Sequence, residues 1–253
     1  MSERDFVKRR VDAPEGFFAA EAAGLSWLAE AGGARCVRVL EVEPDRIVLE
    51  RLQPGPHSTA AAEAFGTALV RTHSAGAPAF GSAPPGVSGD AWIGDAPLPL
   101  RRHAAWGEFY ATERVLPYAE AAAASGALRT PALKLIERVC DRLGAGEFDD
   151  PCPPARIHGD LWAGNVVATP AGYVLIDPAA HGGHPLTDLA MLALFGHPKL
   201  AAVFAAYAAQ AHLQDGWDDL LPLHQLHPLL VHAVLFGGGY GAQAAAVAGR
   251  YAR

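Results

Sequence analysis

The stretch from Ile157 to Pro178 constrains this chain more than any other, because it sets an acid, an amide and a second acid in a fixed order around turn-forming residues. It opens on the apolar Ile157 and continues His158-Gly159-Asp160-Leu161-Trp162-Ala163-Gly164-Asn165. Val166-Val167-Ala168 and Tyr173-Val174-Leu175-Ile176 then read as two short strands. Between them lies turn chemistry, Thr169-Pro170-Ala171-Gly172, and the second strand ends at Asp177. Folding this hairpin back would bring Asp177 beside Asn165, with Gly159 and Gly164 permitting tight backbone turns.

Charge explains why these residue types belong together. Moving the terminal phosphoryl group of ATP to a hydroxyl needs a carboxylate to orient or deprotonate that hydroxyl, and oxygen ligands to hold Mg²⁺ against the phosphates. Asp160 fits the carboxylate. Asn165 stands at the spacing of a kinase catalytic loop, and Asp177 would be the second metal ligand. A His-x-Asp-x4-Asn match is by itself a modest signal, and a polar residue at a strand end is commonly just a cap. Loop, hairpin and terminal acid in the right order favour the chemical reading.

The same residues resemble the signature of the fructosamine kinase (ketosamine 3-kinase) family. The match runs from His158 to Asn165, with Trp162 as the distinguishing residue, through Leu175-Ile176-Asp177-Pro178-Ala179, Gly183-His184, Asp188-Leu189-Ala190-Met191 and Leu194-Phe195-Gly196. Weak similarity extends over nearly the whole chain. It implies an α+β, protein-kinase-like two-lobed fold shared with aminoglycoside phosphotransferases. A truncated, β-rich N-lobe would span residues 1–52, a hinge 53–57, and a large, mainly helical C-lobe 58–253 with its catalytic loop at 157–165. ATP and Mg²⁺ are the implied cofactors. The implied acceptor is the 3-hydroxyl of a small or protein-bound ketosamine, the adduct left when a sugar glycates an amine, so that the reaction belongs to deglycation repair. On this resemblance Trp162, Trp92 and His184 face the acceptor, while His158 and Asp188 support the catalytic loop. Pro185-Leu186-Thr187 departs from the charged stretch usual in the family. His181 and His184 could instead ligate a metal, although no third ligand is evident and a structural or substrate-lining role is preferred.

Toward the N-terminus, Asp5 to Arg9 alternates like a strand, and Pro14 and Glu15 suit the first turn of a helix through Phe18, Leu25 and Leu28. Glu21 falls on that apolar stripe, where a buried carboxylate needs a partner. Lys8 is the natural candidate, since kinases aim an ammonium at the ATP phosphates by pairing a strand Lys with a helix Glu. A solvent-facing Lys and a surface Glu are the alternative. Cys36 to Val42 and Ile47 to Leu52 read as a strand pair, and Gln53-Pro54-Gly55-Pro56 marks the hinge, with backbone groups of Glu50 and Leu52 facing the adenine. Too few residues precede Lys8 for the two strands and Gly-rich turn that normally cover the phosphates. Truncation upstream is the favoured explanation. The alternatives are cover from a partner chain, as in a homodimer formed through the exposed strand edge, and poor ATP binding.

Further along, Ser58 can cap a helix that ends at His73, and residues 76–99 read as a long Gly- and Pro-rich loop containing Trp92. A helix through Trp106, Phe109 and Tyr110 is predicted to end near Pro117, another to run from Pro131 to Leu143, and the remainder to be helical with a break at Phe236-Gly237-Gly238-Gly239-Tyr240. His224, His227 and His232 read as structural.

Composition limits the classes open to this chain. At 253 residues and 51% apolar it can bury a sizeable core. Its net charge of −7 argues against a nucleic-acid surface. Cys36, Cys140 and Cys152 lack metal-ligand spacing and suit a reducing cytoplasm. Met1-Ser2-Glu3-Arg4-Asp5 does not open a signal peptide, and no apolar run reaches the roughly 18 residues of a membrane span. Two further readings stay open: a kinase of the same fold acting on an aminoglycoside, choline or another hydroxyl compound, and an inactive nucleotide-binding pseudokinase or scaffold.

Overall fold

Alternation along Asp5–Arg9 produces β1, which pairs antiparallel with β3 (Arg46–Glu50), which in turn pairs with β2 (Val39–Glu43). The computed structural model describes residues 5–211 and 213–253; residues 1–4, on which the reading of the N-terminus partly rests, and 212 lie outside the described residues. Packed against this sheet is α1 (Phe17–Ala29), which begins later than the sequence suggested. Gly16, at φ 83°, holds a left-handed backbone that α-helical residues cannot share, so Pro14 and Glu15 stay outside the first turn. The strand expected from Cys36 also begins later in this sheet. Residues 35–37 pair instead with Leu175, in the large lobe, which donates its N–H to the Arg35 carbonyl and accepts from Val37, at 2.8 and 2.9 Å.

Beyond residues 53–57, the Ser58 hydroxyl accepts from Ala61 N–H and caps α2 (Thr59–Ser74). The segment read as a long loop contains a hairpin, β4 (Ala91–Ile93) and β5 (Ala96–Leu98). Its two-residue turn has Gly94 at φ 57°, the conformation a type II′ turn needs at that position. Pro97, an unusual strand residue, hides this hairpin from a sequence reading.

The helix expected to stop near Pro117 runs on. It comprises α3 (Trp106–Phe109), a π-helical stretch Tyr110–Val115 and α4 (Leu116–Ala124). The wider π turn re-registers the hydrogen bonds so that Pro117 falls in the first turn of α4, where its missing N–H costs nothing. α5 (Thr130–Gly144) follows, with Pro131 in its first turn.

The segment from Ile157 to Pro178 takes the strand, loop and hairpin form its pattern implies. β6 (Ala155–Ile157) leads into the loop, and β7 (Val166–Thr169) and β8 (Gly172–Leu175) form the hairpin. β9 (His181–Gly183) returns beside β6. Next come α6 (Pro185–Phe195), α7 (Leu200–Gln210), α8 (Leu221–His224), α9 (Leu226–Phe236) and α10 (Tyr240–Tyr251). Gly237 and Gly238, both at positive φ, make the break between the last two.

Two apolar cores organise this α+β architecture. One lies among α3, α4, α5, α9 and α10 and takes in the buried face of the β4–β5 hairpin. The other is shared between lobes, joining Phe18, Leu25 and Ile47 to Val174 and Leu175 of the catalytic hairpin and Leu189 of α6. All three cysteines are free thiols. Among the described residues no helix is long and apolar enough to cross a membrane.

Candidate active site

Between the two lobes, β1, α1, the catalytic loop and the end of the β7–β8 hairpin turn polar groups toward one cleft. Lys8, on β1, places Nζ 2.9 and 2.8 Å from the two carboxylate oxygens of Glu21 and 2.9 Å from Asp177 Oδ1. Glu21 is buried, Lys8 largely so. Burial works to discharge the Lys8 ammonium, but Glu21 and Asp177 outweigh it and hold its pKa above the ordinary lysine value. For Glu21 burial wins, and its carboxyl sits above the usual range despite Lys8. The ion pair therefore secures the ammonium while the carboxylate bears the desolvation.

The loop itself is fixed from beneath. Asp188, fully buried at the start of α6, accepts from the backbone N–H groups of His158 and Gly159 at 2.8 and 2.9 Å. His73 Nε2 lies 3.1 Å from the same carboxylate, and its Nδ1 lies 2.8 Å from the Tyr207 hydroxyl. The acceptor-only carboxylate places the imidazole proton on Nε2, so Tyr207 O–H donates to Nδ1. Burial alone would raise the Asp188 pKa, but these partners hold it below the usual carboxylate range. His158 bonds Ile176 O through Nε2 at 2.8 Å and accepts from Asp160 N–H through Nδ1, tying the loop to the hairpin. Gly159, at φ 79°, has no room for a Cβ, which would run into the Ala179 carbonyl.

Within the loop, Asn165 Nδ2 donates to the carbonyl and to the Oδ2 of Asp160, both at 2.9 Å. This turns the amide so that its oxygen points away from Asp160. Asp177 follows at φ 52°, the one non-glycine residue with positive φ among those described, so the carboxylate is aimed by a backbone that few side chains tolerate. Burial pushes the Asp160 carboxyl up to about 6, opposed by the Asn165 hydrogen bond and assisted by the nearby charge of Asp177. An amide oxygen and a carboxylate are hard oxygen donors, the set that suits Mg²⁺.

Two contiguous spaces open around these groups. A cavity of about 290 Å³ is lined by Asp160, Asn165, Asp177, Lys8 and Glu21, and walled by Trp92, Trp162, Phe17 and Val87. A second, of about 590 Å³, is lined by Val37, Leu49 and Leu52, by Val167 and Ile176, and again by Lys8 and Asp177. Glu50 and Leu52 both line it. The Glu50 N–H is already bound to the Arg38 carbonyl, so that donor is not open to a ligand.

His184 is not brought to the cleft, contrary to its expected place facing the acceptor. Its ring caps α6 by accepting Leu186 N–H at Nδ1, 3.1 Å away, and its Nε2 lies 3.3 Å from Asp150. Asp150, Cys152 and His184 offer ligand atoms within 4.8 Å of one another. With Nδ1 accepting, however, the proton occupies Nε2, the atom a metal would need, so this group is a hydrogen-bonded helix cap. Sequence reasoning also passed over Phe17, Val87 and the His73–Tyr207 pair. Phe17 was accessible, since it stands one helical turn before Glu21 on the same face; the others depend on tertiary contacts.

Comparison with known proteins bears on this site. The family model described as fructosamine kinase matches residues 1–252. A Thermus thermophilus protein assigned as a ketoamine kinase is 34% identical over 247 residues, which cover 94% of this chain and 83% of the relative. Mouse ketosamine-3-kinase is 33% identical over 135 residues, 53% of this chain and 43% of its own. A crystal structure from Thermobifida fusca, assigned as a fructosamine-3-kinase, shares 46% identity with a TM-score of 0.89, covering 98% of this chain and 85% of that one. The gentamicin-bound phosphotransferase APH(2")-IIa, at 13% identity and TM-score 0.61 over 97% of this chain and 85% of its own, shares the fold.

Proposed function

Because the chain belongs to the fructosamine kinase family, we propose that it transfers the terminal phosphoryl group of ATP to the 3-hydroxyl of a ketosamine. The observation that carries this reading is the meeting of Lys8, Glu21, Asp160, Asn165 and Asp177 at one cleft. The adenine would enter the apolar space under the hinge, between Val37 and Leu49 on one side and Val167 and Ile176 on the other, near the backbone of Glu50 and Leu52. Its phosphates would then extend toward Lys8.

Glu21 keeps the ammonium aimed at those phosphates, and the charge neutralises the group in transit. Asn165 and Asp177 would hold Mg²⁺, which supplies charge neutralisation across the phosphates when bound. Asp160 orients the acceptor hydroxyl and takes its proton as the oxygen bonds to the γ-phosphorus and the bridge to the β-phosphate breaks, releasing ADP. Trp92 and Trp162 bound the space where the sugar would lie. Positioning and charge account for most of the catalysis, with no covalent intermediate on the protein.

The test is ATP consumption with fructosyl-lysine, set against an aminoglycoside, choline and water alone. Turnover confined to the fructosamine is the expected outcome; turnover only with another acceptor, or none, would overturn the reading. Asp160→Asn should lower kcat by about 10²–10⁴ while nucleotide affinity changes little, as loss of a proton acceptor does. Near-normal turnover in that variant would remove Asp160 from its role.

A further inference from the structure

The wall of the acceptor cavity comes from both lobes. Trp92 projects from β4, while Ile93 and Leu98 on the other face of the hairpin are sunk in the helical core. The Tyr118 hydroxyl donates to the Pro97 carbonyl, and Arg114 Nη1 donates to the Pro99 carbonyl at 2.8 Å. The hairpin is thus a stiff arm of the large lobe. Its tip rests on the small lobe: the Trp92 and Phe17 ring centroids are 5.4 Å apart, and Arg10, 4.9 Å over the Phe17 ring, reaches Asp95 at 2.8 Å.

Phe17, Ala20 and Glu21 stand at i, i+3 and i+4 of α1, on one helical face, and all three line the acceptor cavity. The helix touched by the arm is therefore the helix that holds Lys8. Exposed ion pairs such as Arg10–Asp95 contribute little, whereas a half-buried aromatic contact is a stiffer link.

We propose that Trp92 is a positioning residue through which the two substrates bind cooperatively: an acceptor seated against its indole locks the arm in the contact it makes with Phe17, restrains α1, and so holds the Lys8–Glu21 pair in place for the nucleotide. The inference rests on the phosphoryl transfer proposed above. By linkage the effect is reciprocal, so the nucleotide strengthens acceptor binding by the same factor. A cleft wall built wholly from the large lobe would give no such coupling.

The experiment begins with turnover of fructosyl-lysine by the native protein; its absence overturns the functional reading, and this inference with it. Given turnover, the non-transferable analogue AMP-PNP with Mg²⁺ is titrated calorimetrically with and without saturating fructosyl-lysine. Tightening by about fivefold or more is expected, the lower end of typical coupling between sites. Phe17→Leu, which keeps an apolar side chain at a half-buried position, should abolish most of that factor while AMP-PNP affinity without acceptor and the melting curve barely change. Trp92→Leu, on the other lobe, should raise the acceptor KM and, titrated with the acceptor held well above that raised KM, should also lose most of the tightening; full tightening there would overturn the coupling. Turnover with no tightening in the native protein overturns the coupling alone, as does full tightening in Phe17→Leu.

Discussion

Lys8 shows how stability and chemistry part at the level of one residue. Its ammonium is shared between Glu21 and Asp177, and it is the basic side chain lining both cleft spaces. Lys8→Met leaves the Glu21 carboxylate buried without a counter-charge, a loss of about 1–3 kcal/mol for an unsatisfied polar group. On the proposed function the same change also removes the charge that would meet the phosphates, so kcat/KM for ATP should fall by about 10² or more, the scale of a lost transition-state charge contact. Adding Glu21→Met should recover stability, because two well-packed apolar residues can replace an ion pair, yet it should not recover turnover. Chemical denaturation and steady-state kinetics on both variants check this; recovery of activity in the double variant would show that the ammonium is not needed on the nucleotide. Asp177 offers a finer control, since Asn tolerates its left-handed backbone and Asp177→Asn alters the charge without bending the loop.

Elements, more than residues, decide what a sequence reveals. The loop after β6 and the hairpin that follows it were legible because their signal is local: turn residues, alternation and the terminal acid all fall within one continuous stretch. Where local signals conflict with tertiary demands, the reading failed. Pro97 concealed β5, Gly16 moved the start of α1, and the π turn carried the helix past Pro117. His184 was misplaced for a different reason. Spacing puts it close in sequence to Asp177, but the direction of its ring is set by Leu186 and Asp150. The support beneath the loop likewise spans three helices, α2, α6 and α7, through His73, Asp188 and Tyr207. Only its Asp188 member was visible in the sequence. Asp188→Asn loses an oxygen acceptor where three donors converge and should cost about 2–4 kcal/mol, whereas Tyr207→Phe, removing one hydroxyl at the end of the chain, should cost about 1 kcal/mol. Thermal or denaturant melts of the two single variants and the double check this: losses that simply add in the double variant would mean that the two do not act in one network.

Across the whole molecule, the large lobe buries a set of neutral histidines, and pH should act through them. Burial, with Arg114 adding to it, drives His181 down to about 3. His224, facing His184, and His227, facing Arg114, His181 and His232, are likewise held well below the ordinary value, burial being the largest cause. In the unfolded chain all three titrate near pH 6.5, so below that pH the unfolded state binds protons the folded state refuses. Stability is therefore complete above about 6.5 and declines as pH falls, by roughly 4 kcal/mol per unit once all three sites are protonated only in the unfolded chain. Cooperative acid unfolding between about pH 4 and 5.5 is expected for a domain of ordinary stability. A melting temperature unchanged from pH 7 to 5 would show that these rings do not bear the load. One seam also sets how the molecule can breathe. With Arg35 and Val37 stitched to Leu175 by two backbone hydrogen bonds, any opening of the halves is expected to pivot about that seam, as covers turn on a spine; hydrogen exchange slowest at Val37 and Leu175 would check it.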